Sequence, residues 1–530
     1  MFPLKQTPSF PVRQAIACLA LAAVAWAPAG QSALAAGKAE RVVIMVWDGL
    51  RPDFITPQYT PTLRQLADHG VFFQHHHSVY ICSTEVNAVA LATGVWPARS
   101  TIVANKEYRP DINPSEPVWM QELATVRRGD ELTGGHFLAA PTLADLVQSS
   151  GGRTAVAGVK PVALLLDRQE LNTPYRAGGS MTFFNGHVLP PSAMPLLVTA
   201  NHGKAFPSKV TFPNTEQNAW ATRALTQGMW KNGVPKLSIL WLSEPDYTQH
   251  NFGPGSKQAL GALASADKCL GAVLAALEEK GVRDKTDLFV VSDHGFSTIE
   301  RGIDIVRLLR KAGLKAVTNF KHHEPGEFLV VPLGGSVAVY VPEHEQALVT
   351  RLVAFFQSTD FAGVIFARAA AEGTFPLSAV RLDSPGAPDL LVSLRWSRAR
   401  NVFGTPGLLP TSGIKDKGTH SSLSPYDLHN SLVAAGPDFR SGFYSELPSG
   451  NLDLAPTVAW ILGLQAPQPM DGRLLAEALL DPPAPPPQAE AKTLEASCAS
   501  ARFHWRQYLK IQTVGAEIYL DEGNGESNPN

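Results

Sequence analysis

Short apolar runs alternate with helical patterns along most of the chain. Residues 41–48 (RVVIMVWD) form an unbroken apolar run of the buried-strand type. Residues 60–70 (TPTLRQLADHG) carry Pro early and Gly at the end, which predicts a helix. PTLADLVQSSGG and then RTAVAGV (141–159) read as helix and strand. KLSILWLSEPD (236–246) reads as a strand ending in acids, 257–281 as a long Ala/Leu-rich helix, and TDLFVVSDHG (286–295) as another strand. This alternation predicts an α/β domain with a mostly parallel central sheet flanked by helices. Over 296–410 the pattern loosens. FLVVPL and SVAVYV are strand-like and a helix is expected near 343–357, so the stretch reads as an inserted subdomain or cap. LDLAPTVAWILG (452–463) returns to a core helix. DPPAPPPQAEAK (481–492) predicts an extended Pro-rich linker; within the C-terminal extension 493–530, residues 502–523 read as a helix or strand followed by a hairpin. No internal repeat is visible.

Composition narrows the class. A chain of 530 residues with 45% hydrophobic content is not limited in core size. Formal charge is near balance at −2, with no polybasic run, so a nucleic acid polymer or an anionic membrane surface is not expected as a partner. Residues 1–35 read as a signal peptide. Lys5 and Arg13 precede the apolar run Ala15–Ala27, and Ala33-Leu34-Ala35 offers a cleavage site. No later window has eighteen uninterrupted apolar residues, so no membrane span is expected in the mature chain. The expected product is exported, to a bacterial periplasm. Cys82, Cys269 and Cys498 remain after cleavage. They allow one disulfide and one spare thiol, with the pairing open.

Candidate chemistry gathers where strands end. VVIMVWDG ends at Asp48, LSILWLSEPDYTQH brings Asp246 and His250, and DLFVVSDHG brings Asp293 and His294. His420 sits in the Gly-bounded loop GIKDKGTHSS. Sites in open α/β sheets form at the carboxyl ends of strands. An Asp after a strand is most often only a turn former or cap. The joint pattern points further, because carboxylates with imidazoles are the ligand set of zinc and similar metals. With a Thr hydroxyl the set suffices for two cations, the usual apparatus of in-line displacement at phosphorus. In CSTEVN, residues 82–87, three possible nucleophiles precede a helix. A hydroxyl there would meet the positive end of the helix dipole.

These motifs, in this order, resemble the alkaline phosphatase superfamily, and most of all its type I phosphodiesterase/nucleotide pyrophosphatase family. VVIMVWDGLRPD, TPTLRQLADHG, Thr84-x-x-Asn87 before LATGVWP, SEPDYTQHNFGPGS, VVSDHGF and GTH carry the resemblance, over roughly 40–300 and 415–475. It implies an alkaline-phosphatase-like sandwich spanning 36–480, with 296–410 inserted. It implies Thr84 as nucleophile, near a zinc held by Asp48, Thr84, Asp293 and His294. Asp246, His250 and His420 would hold a second zinc, with manganese or iron as alternatives. Asn105 matches the family's phosphate-binding Asn. The reaction would be hydrolysis of a small phosphate ester, at diester or pyrophosphate bonds, through a phosphothreonine.

The family's aromatic-Pro-Asn-His after the reactive Thr is replaced here by Glu85-Val86-Asn87-Ala88. Glu85 would add negative charge beside the leaving-group pocket. Alternatives on the same ligands are a phosphomonoesterase or phosphonate hydrolase, and, from another class, a metal-binding homologue without turnover. Ser83 is a weaker nucleophile candidate than Thr84. Cys82 lacks the Arg of a sulfatase motif. His75-His76-His77 reads as surface or packing, Lys106 and Lys160 as ordinary loop charges, and FHWRQY near the end as packing.

Overall fold

β1 (Arg41–Trp47) lies in the middle of a nine-stranded sheet. Val42, Ile44 and Val46 enter one core, and Val43, Met45 and Trp47 enter another. A strand covered on both faces has no polar side to show, which is why this run reads as unbroken apolar residues. The structure, a computed structural model, describes residues 37–168, 176, 178–486 and 488–530. The expected signal peptide, 1–35, lies outside the described residues.

The other strands of this sheet are β2 (Val71–Phe73), β3 (Thr154–Gly158), β4 (Met181–Phe184), β5 (His187–Leu189), β6 (Leu237–Leu242), β7 (Thr286–Val291), β8 (Leu432–Ala435) and β9 (Phe443–Ser445). Their order is β9-β2-β8-β7-β1-β6-β3-β4-β5. The run β7-β1-β6-β3-β4 is parallel throughout. Antiparallel pairing appears at β7–β8, β2–β8 and β4–β5. The register Val46↔Val291 and Val46↔Trp241 brings the carboxyl ends of β1, β7 and β6 level. Asp48, Asp293 and the loop to Asp246 therefore leave the sheet side by side.

Helices cover both faces. α2 (Thr84–Thr93) and α5 (Leu454–Ile461) pack on one, α1 (Pro61–His69) and α4 (Lys257–Glu279) on the other. The short helix α3 (Asp246–Phe252) follows β6. Thr60 gives α1 no side-chain cap. The buried Asp267 of α4 does so instead, accepting from the N–H groups of Thr62 and Leu63 at 3.0 and 2.9 Å. Among the described residues, α4 alone is long and apolar enough to cross a membrane. Half of its most apolar window is buried, as in a core helix.

The stretch 296–410 contains all of a six-stranded sheet, ordered 315–317, 327–332, 336–340, 390–394, 362–367 and 375–376. One face packs under the helix Gln346–Gln357 through Leu352, Val353 and Phe356. The other face packs Leu329, Val331 and Leu391 against Tyr80, Ile81 and Cys82. This sheet therefore backs the loop that delivers Thr84.

The chain ends in an antiparallel sheet of three strands, β10 (Ala489–Ala499), β11 (Phe503–Val514) and β12 (Glu517–Pro529). Pairing starts at Ala489, inside the stretch read as linker. Trp505 of the FHWRQY run is buried under Gly373 and Gly525. Among the described residues no disulfide forms: the thiols of Cys82, Cys269 and Cys498 are all free.

Candidate active site

Two groups of ligand-type side chains meet at the carboxyl edge of β1, β6 and β7. Asp48, Asp293 and His294 form one; Asp246, His250 and His420 form the other. Within each, the ligand atoms lie within 4.8 Å of one another. His294 Nε2 is 3.6 Å from Asp48 Oδ1 and 3.3 Å from Asp293 Oδ2. His250 Nε2 is 3.2 Å and His420 Nε2 3.7 Å from Asp246 Oδ1.

The imidazoles are aimed by one repeated device. Nδ1 of His250, His294 and His420 donates to the backbone carbonyls of Gly418, Gly295 and Cys82, at 3.1, 2.9 and 2.9 Å. That fixes the tautomer and leaves Nε2 unprotonated toward the carboxylates, the arrangement metal-binding histidines take. Gly49 N donates to Asp293 Oδ1 at 3.0 Å, and Trp241 Nε1 to Asp48 Oδ2 at 2.7 Å. The opposite oxygens, Asp48 Oδ1, Asp293 Oδ2 and Asp246 Oδ1, are buried with no hydrogen-bond partner among the described residues. Unpaired buried carboxylate oxygens are costly. Each lies where a divalent cation would meet an imidazole as well, so the residues fit metal ions.

The electrostatics agree. Burial, then the neighbouring Asp293, pushes Asp48 up to about 8, and burial pushes Asp293 up to about 7. Asp246 is also desolvated, yet Lys160 and His250 hold it well below the ordinary carboxylate range. Burial lowers His294 and His420, keeping them neutral and able to coordinate. Burial also lowers His250, but Asp246 beside it raises it above its ordinary value.

Thr84 opens α2 and is 2% exposed. Its Oγ1 stands 3.3 Å from His294 Nε2. Asn87, three residues on, locks the preceding loop. Its Oδ1 accepts from Val79 N at 2.7 Å, and its Nδ2 donates to the carbonyls of Val79 and Ser83 at 3.0 and 3.1 Å. Asn105 Oδ1 accepts from Glu85 N at 3.0 Å, which leaves the amide NH2 as its donor. Thr84 and Asn105 line a cavity of 320 Å3 with Trp119, Lys160, Asp246, Tyr247, His250 and His420. Larger clefts, of 590 and 780 Å3, lie away from both ligand groups. Ser83 also lines the cavity, but its buried hydroxyl has no partner among the described residues and no imidazole beside it.

Two sequence readings need correction. Lys160 is no ordinary loop charge. It is 6% exposed, and its Nζ stands 2.9 Å from both Asp48 Oδ2 and Asp246 Oδ2, joining the two groups. It follows the carboxyl end of β3, next to β6, so the rule that singled out Asp48 also applied to it. Glu85 does not charge the pocket. It is fully buried, does not line the cavity, and burial pushes its carboxyl well above the ordinary range.

A family model described as type I phosphodiesterase / nucleotide pyrophosphatase matches residues 42–375. A mouse (Mus musculus) bis(5′-adenosyl)-triphosphatase, enpp4, is 22% identical over 443 residues, covering 82% of this chain and 80% of the relative. A venom phosphodiesterase of Macrovipera lebetinus is 24% identical over 261 residues, 49% of this chain and 26% of its own. Human ectonucleotide pyrophosphatase/phosphodiesterase 5 superposes with a TM-score of 0.59 at 17% identity, covering 83% of this chain and all of its own. The murine counterpart, an inactive Thr-to-Ala form in complex with AMP, gives a TM-score of 0.58 at 17% identity, over 83% of this chain and 99% of its own.

Proposed function

From the premise that this chain belongs to the type I phosphodiesterase/nucleotide pyrophosphatase family, we propose that it is an exported two-zinc hydrolase of small phosphate esters acting through Thr84. The family is metal-dependent and hydrolytic, and its members cleave phosphodiester or phosphoanhydride bonds. The reading rests on one observation above others. Two carboxylate–imidazole groups, each with an orphaned buried oxygen, stand beside the hydroxyl of Thr84.

Asp48, Asp293, His294 and Thr84 would hold one cation, and Asp246, His250 and His420 the other. Bound there, zinc would supply Lewis-acid charge to a phosphoryl group and lower the pKa of a hydroxyl. Two divalent cations together with Lys160 would outweigh the three carboxylates, leaving the site positive and suited to an anionic ester. Thr84 Oγ1 attacks phosphorus as the bond to the leaving oxygen breaks, giving a phosphothreonine. Water then cleaves the new P–O bond and frees the hydroxyl. Asn105, its carbonyl held by Glu85 N, offers its NH2 to a non-bridging oxygen as charge builds there. The first turn of α2 adds N–H donors and the positive end of its dipole. Trp119 and Tyr247 give the cavity flat apolar walls for the leaving group. The relatives' names, a bis(5′-adenosyl)-triphosphatase and venom phosphodiesterases, favour nucleotide diester or pyrophosphate bonds. The signal-peptide pattern of residues 1–35 supports export to a periplasm.

Turnover of p-nitrophenyl phosphate, bis-p-nitrophenyl phosphate and ATP, with and without a chelator, tests this reading. The diester and ATP should be cleaved faster than the monoester, with loss on chelation and recovery with added zinc. Turnover that resists chelation, or acts on the monoester alone, would overturn it.

A further inference from the structure

Two of the three adjacent histidines, read from sequence as surface or packing, are 1% exposed. His76 is spent on hydrogen bonds, with Nδ1 2.9 Å from Ser449 Oγ and Nε2 3.0 Å from Asn451 Oδ1. His77 is different. Its Nδ1 donates to the carbonyl of Ser449 at 3.0 Å, so Nε2 carries the free lone pair. That buried nitrogen has no hydrogen-bond partner among the described residues. It points toward a carboxylate, with Asp521 Oδ1 3.8 Å away. A lone pair facing a carboxylate oxygen is repulsive unless a cation stands between them. The third group at that point is His429, whose Nε2 is 3.0 Å from the same oxygen. All three ligand atoms lie within 4.8 Å of one another.

We propose that His77, His429 and Asp521 form a third metal site, for a zinc-class divalent cation, separate from the two groups around Thr84. Two imidazoles and one carboxylate suit zinc or cobalt; calcium and magnesium prefer all-oxygen sets. Bonds of about 2.0–2.1 Å place tetrahedral zinc ligands roughly 3.4 Å apart. The separations of 3.0 and 3.8 Å from Asp521 Oδ1 to the two imidazoles straddle that value. Half-buried His429 and Asp521 give the ion a way in and room for a water as fourth ligand. His429 Nε2 also lies 3.2 Å from the backbone carbonyl of Asp521, so without an ion it carries the proton and donates to Asp521; binding the ion moves that proton to Nδ1. The three ligands come from different parts of the chain. His77 precedes α2, His429 precedes β8, and Asp521 lies on β12. The ion would therefore clip the C-terminal sheet to the segment leading into Thr84.

Zinc per chain, measured after equilibrium dialysis of the full-length protein, tests the site by difference. Asp521→Asn, His77→Gln and His429→Gln should each hold one equivalent less than the unaltered chain and keep its turnover of phosphate esters. The difference is read whatever the two groups around Thr84 hold. Because the three variants sit on separate elements, a folding failure in one leaves the others to decide. Cobalt should show the same one-equivalent deficit. Equal metal content in the folded variants and the unaltered chain would overturn the proposal.

Discussion

Lys160 shows how a single side chain can carry two duties. Its ammonium bridges Asp48 and Asp246 in a space almost closed to water. Among the described residues it is the one Lys or Arg within salt-bridge reach of those carboxylates. Removing one partner of a buried pair costs about 3–5 kcal/mol, because the other charge stays behind. Lys160→Met should lower the stability of chelator-treated protein by about that amount, read from urea unfolding. With zinc present the loss should shrink, since the cations then satisfy the same oxygens. An equal loss in both conditions would mean that Lys160 acts through packing alone. No motif marks this residue. Its meaning comes from the two carboxylates opposite, which only the sheet order brings near.

At the scale of elements, the loop 79–83 and α2 behave as one part. The Asn87 side chain makes four hydrogen bonds to that loop and accepts a fifth from Asn451 Nδ2 at 2.9 Å. Each buried backbone group left unpaired costs about 1–3 kcal/mol. Asn87→Ala should therefore cost about 2–4 kcal/mol in thermal unfolding. Turnover should fall more than KM rises, because Thr84 loses its fixed position. The Thr-x-x-Asn spacing was visible in the sequence, but the task of the Asn was not, since its partners lie before it and in 451. Asp287, on β7, sets a pH dependence. It is fully buried, and burial with Asp438 beside it pushes it up to about 8. Its unfolded value is near the ordinary 3.9. The folded state thus keeps a proton that the unfolded chain gives up, and stability declines as pH rises from about 4 to about 8. Asp287→Asn lacks that slope. It should match the unaltered chain near pH 4 and exceed it by at least about 1 kcal/mol near pH 9, one pKa unit's worth. Parallel unfolding curves across that range would refute the assignment.

For the whole molecule, the legible part was the part with period and repetition. From Val42 in β1 and Leu288 in β7 the strands run apolar to their ends, because helices cover both their faces. The polar residues that end them stand out against that background, so Asp48, Asp293 and His294 could be read. So could Asp246, His250 and His420, which the structure brings beside them. The C-terminal sheet was harder. AEAKTLEASCA, residues 489–499, is built from weak strand formers after a Pro-rich run, and its first four residues read as linker. It becomes a strand because β11 offers a partner over eleven residue pairs, a fact of pairing and not of propensity. Glu85 was misread for the opposite reason. A charged residue at a helix start normally faces water, but every residue of α2 is buried.

The central claim is that the hydroxyl of Thr84 attacks phosphorus beside two cation sites. Acid-quenching the enzyme during turnover of a phosphodiester, then mapping its peptides by mass spectrometry, tests this most directly. The account predicts phosphate on Thr84, absent after chelation and absent in a Thr84→Ala chain, which should also lose turnover. Full turnover by Thr84→Ala, or phosphate carried by Ser83 instead, would contradict it.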